Sequence, residues 1–521
     1  DIESIRLLRQ LLGVVRKLRL DSNTRDRGNT VREFYQIDMG VKRGDLPWDD
    51  HDAFSREVDY NDTSFLGVIS DGQHRSASLL PERVEDRTSI PIRDLRGVLV
   101  NIQRIADYLT SSLGSFDPHE WVFRHGPGSV AGDGYGSYKY DFQLWPDRLE
   151  SVFPYADFAV ANYALVGDES VDEARARGFY HELPAKLCAV PKTIKAPRLI
   201  ASEPVALQWC QQAVRDFLYS RTSRSLLAKF VDFRRQDKNG SLALEASHSQ
   251  SHATIDLSSA SDRISCWHVE RLFRRSPSLL QALQATRSVW IRQDICKYSP
   301  RFYKLRKYST MGNATTFPVQ TIFFTTIALA CVMYVRGLRV CGMNLRRLET
   351  GTVRVFGDDI IVPQDASGLL VGVLKALSLK VNDSKTFLNG KFRESCGVDA
   401  YDGHDVTSVS ILDMPRRATP SSIASIVDTH NNLIQSGYLC TAQYLRKTAG
   451  LLGYKRIREV KHGDGAFGWQ VFGVPDYTGF KTRFSRDLHR FEIRCLGPRS
   501  IEHRMPASGN PGLLQYFTEA A

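Results

Sequence analysis

The sequence predicts an α+β fold for the part of the chain that follows Leu183, and three observations carry that expectation. Two short β-prone runs, 352–356 and 360–363, flank the turn-forming Gly357-Asp358-Asp359 and spell an antiparallel hairpin. A third apolar run, 253–257, reads as another strand. An apolar stretch at 314–334, interrupted only by small polar residues, is long enough for one buried helix.

The other elements follow in order. Residues 1–20 place Ile5, Leu8, Leu12, Val15 and Leu18 at helical spacing, with Arg6, Arg9, Arg16, Lys17 and Arg19 between them. This is a basic amphipathic helix and not a signal peptide, expected to pack on the protein's own body rather than on a membrane. Without an initiating Met, the chain reads as a processed or partial product. Residues 21–91 read as polar and irregular. The glycine-rich segment 125–136 lacks the Gly-x-x-x-x-Gly-Lys-Ser/Thr spacing of a phosphate loop and reads as a plain flexible loop. A helix is expected from about Ser259 to Arg275, with Ile264, Val269 and Leu272 on its apolar side. Asp365 is placed to cap another helix through about Ser378, and 379–387 returns as strand. The run 317–335 contains Pro318, Gln320 and three threonines, so a buried helix explains it better than a membrane span.

Composition excludes several classes. The chain has 521 residues, 42% hydrophobic and 24% charged, which argues against intrinsic disorder and for several domain-sized units. Nine cysteines without a CxxC pair give no support to a disulfide framework or a zinc ribbon, and the chain reads as reduced and intracellular. The net charge of +11 is clustered. Residues 263–307 hold 11 basic side chains against Glu270 and Asp294; residues 441–510 hold 13 against 6, interleaved with Trp469, Tyr477, Phe480 and Phe484. Basic residues mixed with aromatics suit a phosphate backbone with unstacked bases.

The chemistry is carried by paired carboxylates. Asp358 and Asp359 sit on a tight turn between apolar strands, and mutual repulsion there is relieved by a bound cation. Gly-Asp-Asp alone is a weak signal, with a solvated turn as its plain alternative. Asp256 ends another apolar strand, in Ala-Thr-Ile-Asp-Leu-Ser-Ser-Ala-Ser-Asp262. If the two strands are neighbours, Asp256 and Asp358 can share two divalent ions about 4 Å apart, able to activate a 3′-hydroxyl and stabilise leaving pyrophosphate. Magnesium, with manganese as a substitute, fits such hard oxygen ligands. Lys192, Lys195 and Arg198 lie on an extended, proline-stiffened run suited to gripping a triphosphate. Ser309-Thr-Met-Gly312-Asn313-Ala-Thr-Thr-Phe317 offers a glycine turn for close backbone approach to a nucleotide, with Asn313 within reach of a ribose hydroxyl. His248 and His252 have i, i+4 spacing, but their Ser-Gln-Ser context reads as an exposed loop rather than a metal site.

Taken in order, Val-Pro-Lys…Arg…Glu-Pro, Asp-Leu-Ser-Ser-Ala-Ser-Asp, Ser-Thr-Met-Gly-Asn…Thr-Phe, Gly-Asp-Asp, Ser-Lys-Thr-Phe and Phe-Arg-Glu-Ser-Cys-Gly resemble the motifs of RNA-dependent RNA polymerases of single-stranded RNA bacteriophages, the levivirus replicase subunits. The resemblance covers about residues 190–407. It implies a right-handed polymerase fold of fingers, palm and thumb with an antiparallel palm sheet. The expected division is 1–185 for an N-terminal region shared by fingers and thumb-side packing and 186–255 for fingers. The palm would be 256–390 with a fingers segment at 263–307, and 391–521 would be the palm–thumb turn and thumb.

The resemblance further implies that Asp256 and Asp358 bind two Mg²⁺ ions with Asp359 beside them, and that Lys192, Lys195 and Arg198 hold the incoming triphosphate. Asp262 with Asn313 would sense the ribose, Gly312 would bind nucleotide by close backbone approach, and Lys385 would protonate pyrophosphate. Asp262 departs from the pattern by following Asp256 at six residues, with Ser261 in the fifth place. A small Ser261 leaves room for a 2′-hydroxyl, unlike the bulky aromatic that reverse transcriptases place nearby. The implied partners are RNA template and product, ribonucleoside triphosphates and, by resemblance alone, host elongation factors Tu and Ts and ribosomal protein S1. The implied setting is the bacterial cytoplasm, with no membrane. Two other readings stand beside it: a polymerase like those of mitoviruses and ourmiaviruses, and a non-catalytic basic RNA-binding protein with a polymerase-like palm.

Overall fold

The computed structural model describes residues 1–41, 90–126, 128–131, 139–142, 144–166, 182–192, 196–413, 420–454, 457–463, 465–473, 481–495, 497 and 509–520. The chain divides into two compact units. The smaller comprises Asp1–Asp26, Val190–Arg198 and Val406–His503, and the larger comprises Arg27–Ala189, Leu199–Asp405 and Arg504–Ala521.

In the smaller unit, helix α1 (Ile2–Gly13) starts at Asp1, whose carboxylate accepts the Glu3 N–H at 3.2 Å and the Ser4 hydroxyl at 2.9 Å. Its polar edge is anchored. Arg6 donates to the Ser436 carbonyl, Arg9 to Val406 O at 3.1 Å and Gln10 to Val409 O at 2.9 Å. The helix thus rests on the protein's own body as expected, but through this polar edge, while Leu8, Leu11 and Leu12 stand exposed, Leu11 at 74%. Ile426, Val427, Ala449, Tyr454 and Trp469 form a small core between the helices Pro420–Gln435 and Leu439–Leu451. Trp469 is therefore a core side chain and is not displayed for base stacking, while Phe484 lies half exposed on the hairpin Thr482–Ser485/Arg490–Ile493. Tyr477 and Phe480 lie outside the described residues, as do 42–89 and half of the glycine-rich segment.

The larger unit opens with α2 (Thr24–Met39), a regular helix where the sequence reads as irregular; Val31, Phe34 and Tyr35 supply its buried face. α3 (Ile92–Ser111) buries Leu95, Val98, Leu99, Ile102, Ile105, Ala106 and Leu109, the spacing of one helix face. Strands β1 (Ala185–Val190) and β2 (Arg198–Ser202) are followed by α4 (Val205–Arg224), α5 (Asp237–Ser249) and β3 (His252–Ile255). The long helix expected at 259–275 is instead a single turn at Ser261–Arg263 and then α6 (Cys266–Phe273). Ser265 breaks it by capping α6: its hydroxyl accepts the His268 N–H, while its own N–H donates to His268 Nδ1. Next come β4 (Trp290–Gln293), β5 (Phe302–Lys304) and α7 (Thr316–Val335), the expected buried helix. Within α7, Thr321, Thr325 and Thr326 return their hydroxyls to carbonyls four residues earlier, so no polar group is stranded by their burial.

β6 (Arg354–Phe356) and β7 (Asp359–Pro363) form the expected hairpin, and α8 (Gln364–Ala376) follows. Pro363, not Asp365, occupies the cap position of α8, and the Asp365 carboxylate accepts from Arg336 instead. Residues 379–387 do not form a continuous strand. Val381 and Phe387 make single bridges to Leu257 and Thr254, with a short turn at Asp383–Lys385 between them.

Among the described residues of the larger unit, these strands form three sheets. One has the order β2-β1-β4-β5; another is β3-β7-β6, fully antiparallel. The third joins β8 (Phe392–Ser395), β9 (Val398–Tyr401) and β10 (His404–Asp405) as an antiparallel meander against α5. Helices and mainly antiparallel strands, with β1 parallel to β4, thus make an α+β arrangement. α3, α7 and α8 share one large apolar core with the β3-β7-β6 sheet. α7 is long and apolar enough to cross a membrane, yet nearly all of it is buried within this core.

Candidate active site

The order β3-β7-β6 makes the strand bearing Asp256 a direct neighbour of the hairpin bearing Asp358 and Asp359. Ile255 faces Ile360 across β3 and β7, so extending the register by one residue sets Asp256 abreast of Asp359. Gly357 builds the turn. Its φ is +65°, and a Cβ there would press against Gln320 Nε2 at 3.1 Å and the Phe317 ring at 3.3 Å. The Gly357 N–H donates to Thr321 Oγ1 at 3.0 Å, tying the turn to α7.

Electrostatics report how close the carboxylates are. Burial first, and then repulsion from Asp358 and Asp256, pushes Asp359 up to about 7. Asp256 is also raised, mainly by burial, with Asn382 and Lys385 opposing and Asp358 adding to the rise. Asn382 donates to Asp256 Oδ2 at 2.8 Å, and the Asp256 N–H donates to Thr386 Oγ1 at 3.3 Å. Two acids on the β6–β7 turn with a third at the end of β3 favour a cation. Among the described residues no group of three or more His, Cys, Asp or Glu is arranged to hold a metal by itself. An all-oxygen set of this kind fits a hard divalent ion that completes its shell with substrate phosphates and water.

Lys385 sits beside this cluster. Its ammonium contacts Glu394 Oε1 at 2.9 Å; burial opposes its charge, but Glu394, Asp256 and Asp359 together hold its titration above the usual lysine value. Arg393, with no exposed surface, braces the adjoining strand through Nε to His252 O at 2.6 Å and Nη1 to Gly390 O at 2.7 Å.

The segment before α7 is rigid. Asn313 Oδ1 accepts the Thr315 N–H at 2.8 Å and the Thr315 hydroxyl at 2.7 Å, leaving Nδ2 buried without a partner among the described residues. Gly312 lies against β2, where Ala201 N–H donates to Met311 O at 2.7 Å. Beneath both, the buried Glu203 accepts from Gln211 at 3.0 Å and Ser288 at 2.5 Å, and Gln211 Oε1 takes the Ala314 N–H at 3.2 Å. Burial raises the Glu203 carboxyl, against the pull of those two hydrogen bonds.

The larger unit thus holds Asp256, Asp262, Gly312, Asn313, Asp358, Asp359 and Lys385, and brings Asp256, Asp358, Asp359 and Lys385 to one end of one sheet. Lys192 and Arg198 belong to the smaller unit and are exposed there, and Lys195 lies outside the described residues. Asp262 is paired with Lys307 at 2.7 Å. His248 and His252 do not meet as a pair. α5 ends between them at Gln250, with φ +56°, so His248 pairs with Asp402 at 3.1 Å while His252 starts β3. His248 is helical, not in the loop expected for it.

Sequence reasoning missed Asn382, Thr386, Glu394, Lys307 and Asp38. Thr386 and Glu394 fall inside the Ser-Lys-Thr-Phe and Phe-Arg-Glu-Ser-Cys-Gly segments and Asn382 lies two residues before the first, so proximity to a motif was their signal. The basic run 263–307 proves heterogeneous: Arg271, Arg287 and Lys307 are buried, and Arg287 donates to the carbonyls of Lys307 and Tyr308.

A family profile described as RNA replicase, beta-chain matches residues 153–423. The RNA-directed RNA polymerase subunit beta of Escherichia virus Qbeta is 35% identical over 325 residues, 59% of this chain and 51% of that protein. The corresponding subunit of Qbeta virus (strain MX1) is 33% identical over 243 residues, 47% of this chain and 38% of the relative. The RNA-directed RNA polymerase beta chain of Escherichia phage MS2 is 34% identical over 217 residues, 42% of this chain and 36% of the relative. The matched stretches span about half or less of these relatives' own length.

Proposed function

Because the chain belongs to the RNA replicase beta-chain family, we propose that it is an RNA-directed RNA polymerase that copies a single-stranded RNA phage genome in the host cytoplasm. The observation that carries this reading is the carboxylate cluster at the β3 and β6–β7 ends, which puts Asp256 beside Asp358 and Asp359.

In this reading β3-β7-β6 is the palm sheet, so the palm proposed for 256–390 also takes in β3 at 252–255; the rest of 186–255 with 263–307 are fingers, 391–521 leads through the palm turn to the thumb, and 1–185 contributes to fingers and thumb-side packing. Asp256 and Asp358 would hold two magnesium ions with Asp359 beside them; magnesium there supplies charge to activate the primer 3′-hydroxyl and to stabilise departing pyrophosphate. The chain's own residues do the rest. Lys192, Lys195 and Arg198 grip the triphosphate, and Lys385 offers a proton to the leaving group. Asn313, whose Nδ2 has a hydrogen bond to give, and Asp262 receive the ribose hydroxyls, with Gly312 permitting close approach. Substrates are RNA template and ribonucleoside triphosphates. The relatives' naming as a subunit fits a larger assembly, for which elongation factors Tu and Ts and ribosomal protein S1 are the candidates implied by the sequence resemblance.

The test is label incorporation by the purified chain with RNA template, ribonucleotides and Mg²⁺, with and without bacterial extract. Template-dependent product is expected; RNA binding without any product in either condition would refute the reading in favour of a binding protein.

A further inference from the structure

Lys307 has no exposed surface. Its ammonium donates to Asp262 Oδ1 at 2.7 Å and lies 3.3 Å from the centre of the Phe34 ring. The chain around it is fastened from α2: the N–H groups of Arg306 and Lys307 donate to the two carboxylate oxygens of Asp38, at 2.9 and 3.0 Å. Asp38 is itself fully buried. On the other flank, Lys307 bridges Ser265, and Tyr308 N–H donates to Ile264 O at 2.8 Å. A buried ion pair of this kind adds little net stability over an apolar pair of the same size, so what it contributes is a fixed geometry.

That geometry bears on Asp262. Oδ1 is occupied by Lys307, whereas Oδ2 takes no hydrogen bond among the described residues. The turn Ser261–Arg263 packs against α7, the helix that begins just after Asn313. Spacing leaves Asp262 one residue off the polymerase pattern, and a side chain displaced in this way needs something to aim it.

We propose that Lys307 is a positioning residue for ribose selection: held by Asp38 and Phe34 of α2, it fixes the Asp262 carboxylate so that Oδ2 faces the sugar of the incoming nucleotide. This rests on the polymerase reading and on Asp262 as a ribose contact. Lys307 touches neither nucleotide nor metal. It acts through Asp262, and α2 acts through Lys307.

The experiment compares kcat/KM for CTP and 2′-deoxy-CTP on one template. Lys307→Met is expected to lower the ribose preference by about tenfold or more, approaching Asp262→Asn, because a site built to bind a hydroxyl discriminates only while its partner is in place. Asp38→Asn, which weakens the backbone clamp but keeps both members of the pair, is expected to shift the ratio in the same direction by roughly threefold. Lys307→Arg should restore part of the preference. If Lys307→Met does not fold, the double variant Lys307→Met/Asp262→Asn leaves no unpaired buried charge and is expected to discriminate as poorly as Asp262→Asn. An active Lys307→Met or double variant that uses both nucleotides more slowly but in the wild-type ratio overturns the proposal alone. Wild-type protein that incorporates neither nucleotide, with or without bacterial extract, overturns the polymerase reading beneath it.

Discussion

The carbonyl oxygen of Ala201 occupies the space where a side chain on Gly312 would begin, 1.9 Å from an ideal Cβ. Gly312 also has φ +124°, outside the range of residues with side chains. The obstacle is backbone, so neither partner can rotate away. Gly312→Ala must part β2 from the turn that carries Asn313. The variant is expected to lose about 3 kcal/mol or more of stability and to bind nucleotide poorly. Thermal unfolding and nucleotide KM check this; an unchanged melting temperature with unchanged KM would show that the two segments are not coupled.

Crowding of Asp256, Asp358 and Asp359 separates stability from activity. Asp358→Asn should lower incorporation by about a thousandfold or more while RNA affinity stays within a factor of two. Asp359→Asn removes one repelling charge from a poorly solvated place, so in a metal chelator it should melt at or above the wild-type temperature. Adding Mg²⁺ should raise the wild-type melting temperature more than that of the variant. Equal responses would mean that Asp359 does not sense the ion.

Lys385 and Glu394 form a half-buried pair at the edge of the same cluster. Lys385→Met is expected to cut kcat by about 10–100-fold with little change in KM, the signature of a proton donor needed after binding. A fall in thermal stability with unaltered kcat would assign the lysine to the strand instead.

His268 provides a pH dependence of stability. Burial lowers it to about 3, and its ring lies against Phe323 with centroids 5.0 Å apart. The folded value is below the unfolded value near 6.5, so the unfolded chain takes up the proton first. The His268 contribution is therefore level above pH 6.5 and falls as the pH drops toward 3, at up to about 1.4 kcal/mol per pH unit, while Asp359, raised to about 7, contributes in the opposite direction between pH 7 and 4. His125, lowered to about 4 mainly by burial, acts in the same direction. Melting temperatures at pH 7 and pH 5 should differ, and His268→Gln should narrow the difference; no narrowing would put the acid sensitivity elsewhere.

The carboxylates were legible because strand patterning is local: apolar runs on either side of Gly357-Asp358-Asp359 pointed to a hairpin, whereas the adjacency of 253–257 was only a condition in the sequence and comes from the strand order. α7 was legible for the same reason. What stayed hidden depends on distant pairing. Nothing near residue 307 announces that its ammonium would be buried against a carboxylate 45 residues earlier and a ring on α2. Local competition also escaped notice. Ser265 cut a periodic stretch into a turn and a shorter helix by capping, and Pro363 took the position that Asp365 was expected to fill. At α1 the pattern foretold the helix correctly but not which side of it would be anchored, since Arg6, Arg9 and Gln10 reach carbonyls some 400 residues away.

The burial of α7 sets a schedule for synthesis. α3, one of the elements that cover it, is made first, but β6, β7 and α8 emerge only afterwards. About forty residues, 336 to 376, separate the end of α7 from the end of α8. At roughly 5–20 residues per second this is on the order of 2–8 s during which a stretch as apolar as a membrane span has only half of its cover. A nascent chain stalled near residue 350 should therefore be captured by chaperones or precipitate, whereas one extended past 376 can close. Translation speed through that stretch becomes a determinant of yield, independent of how stable the finished protein is.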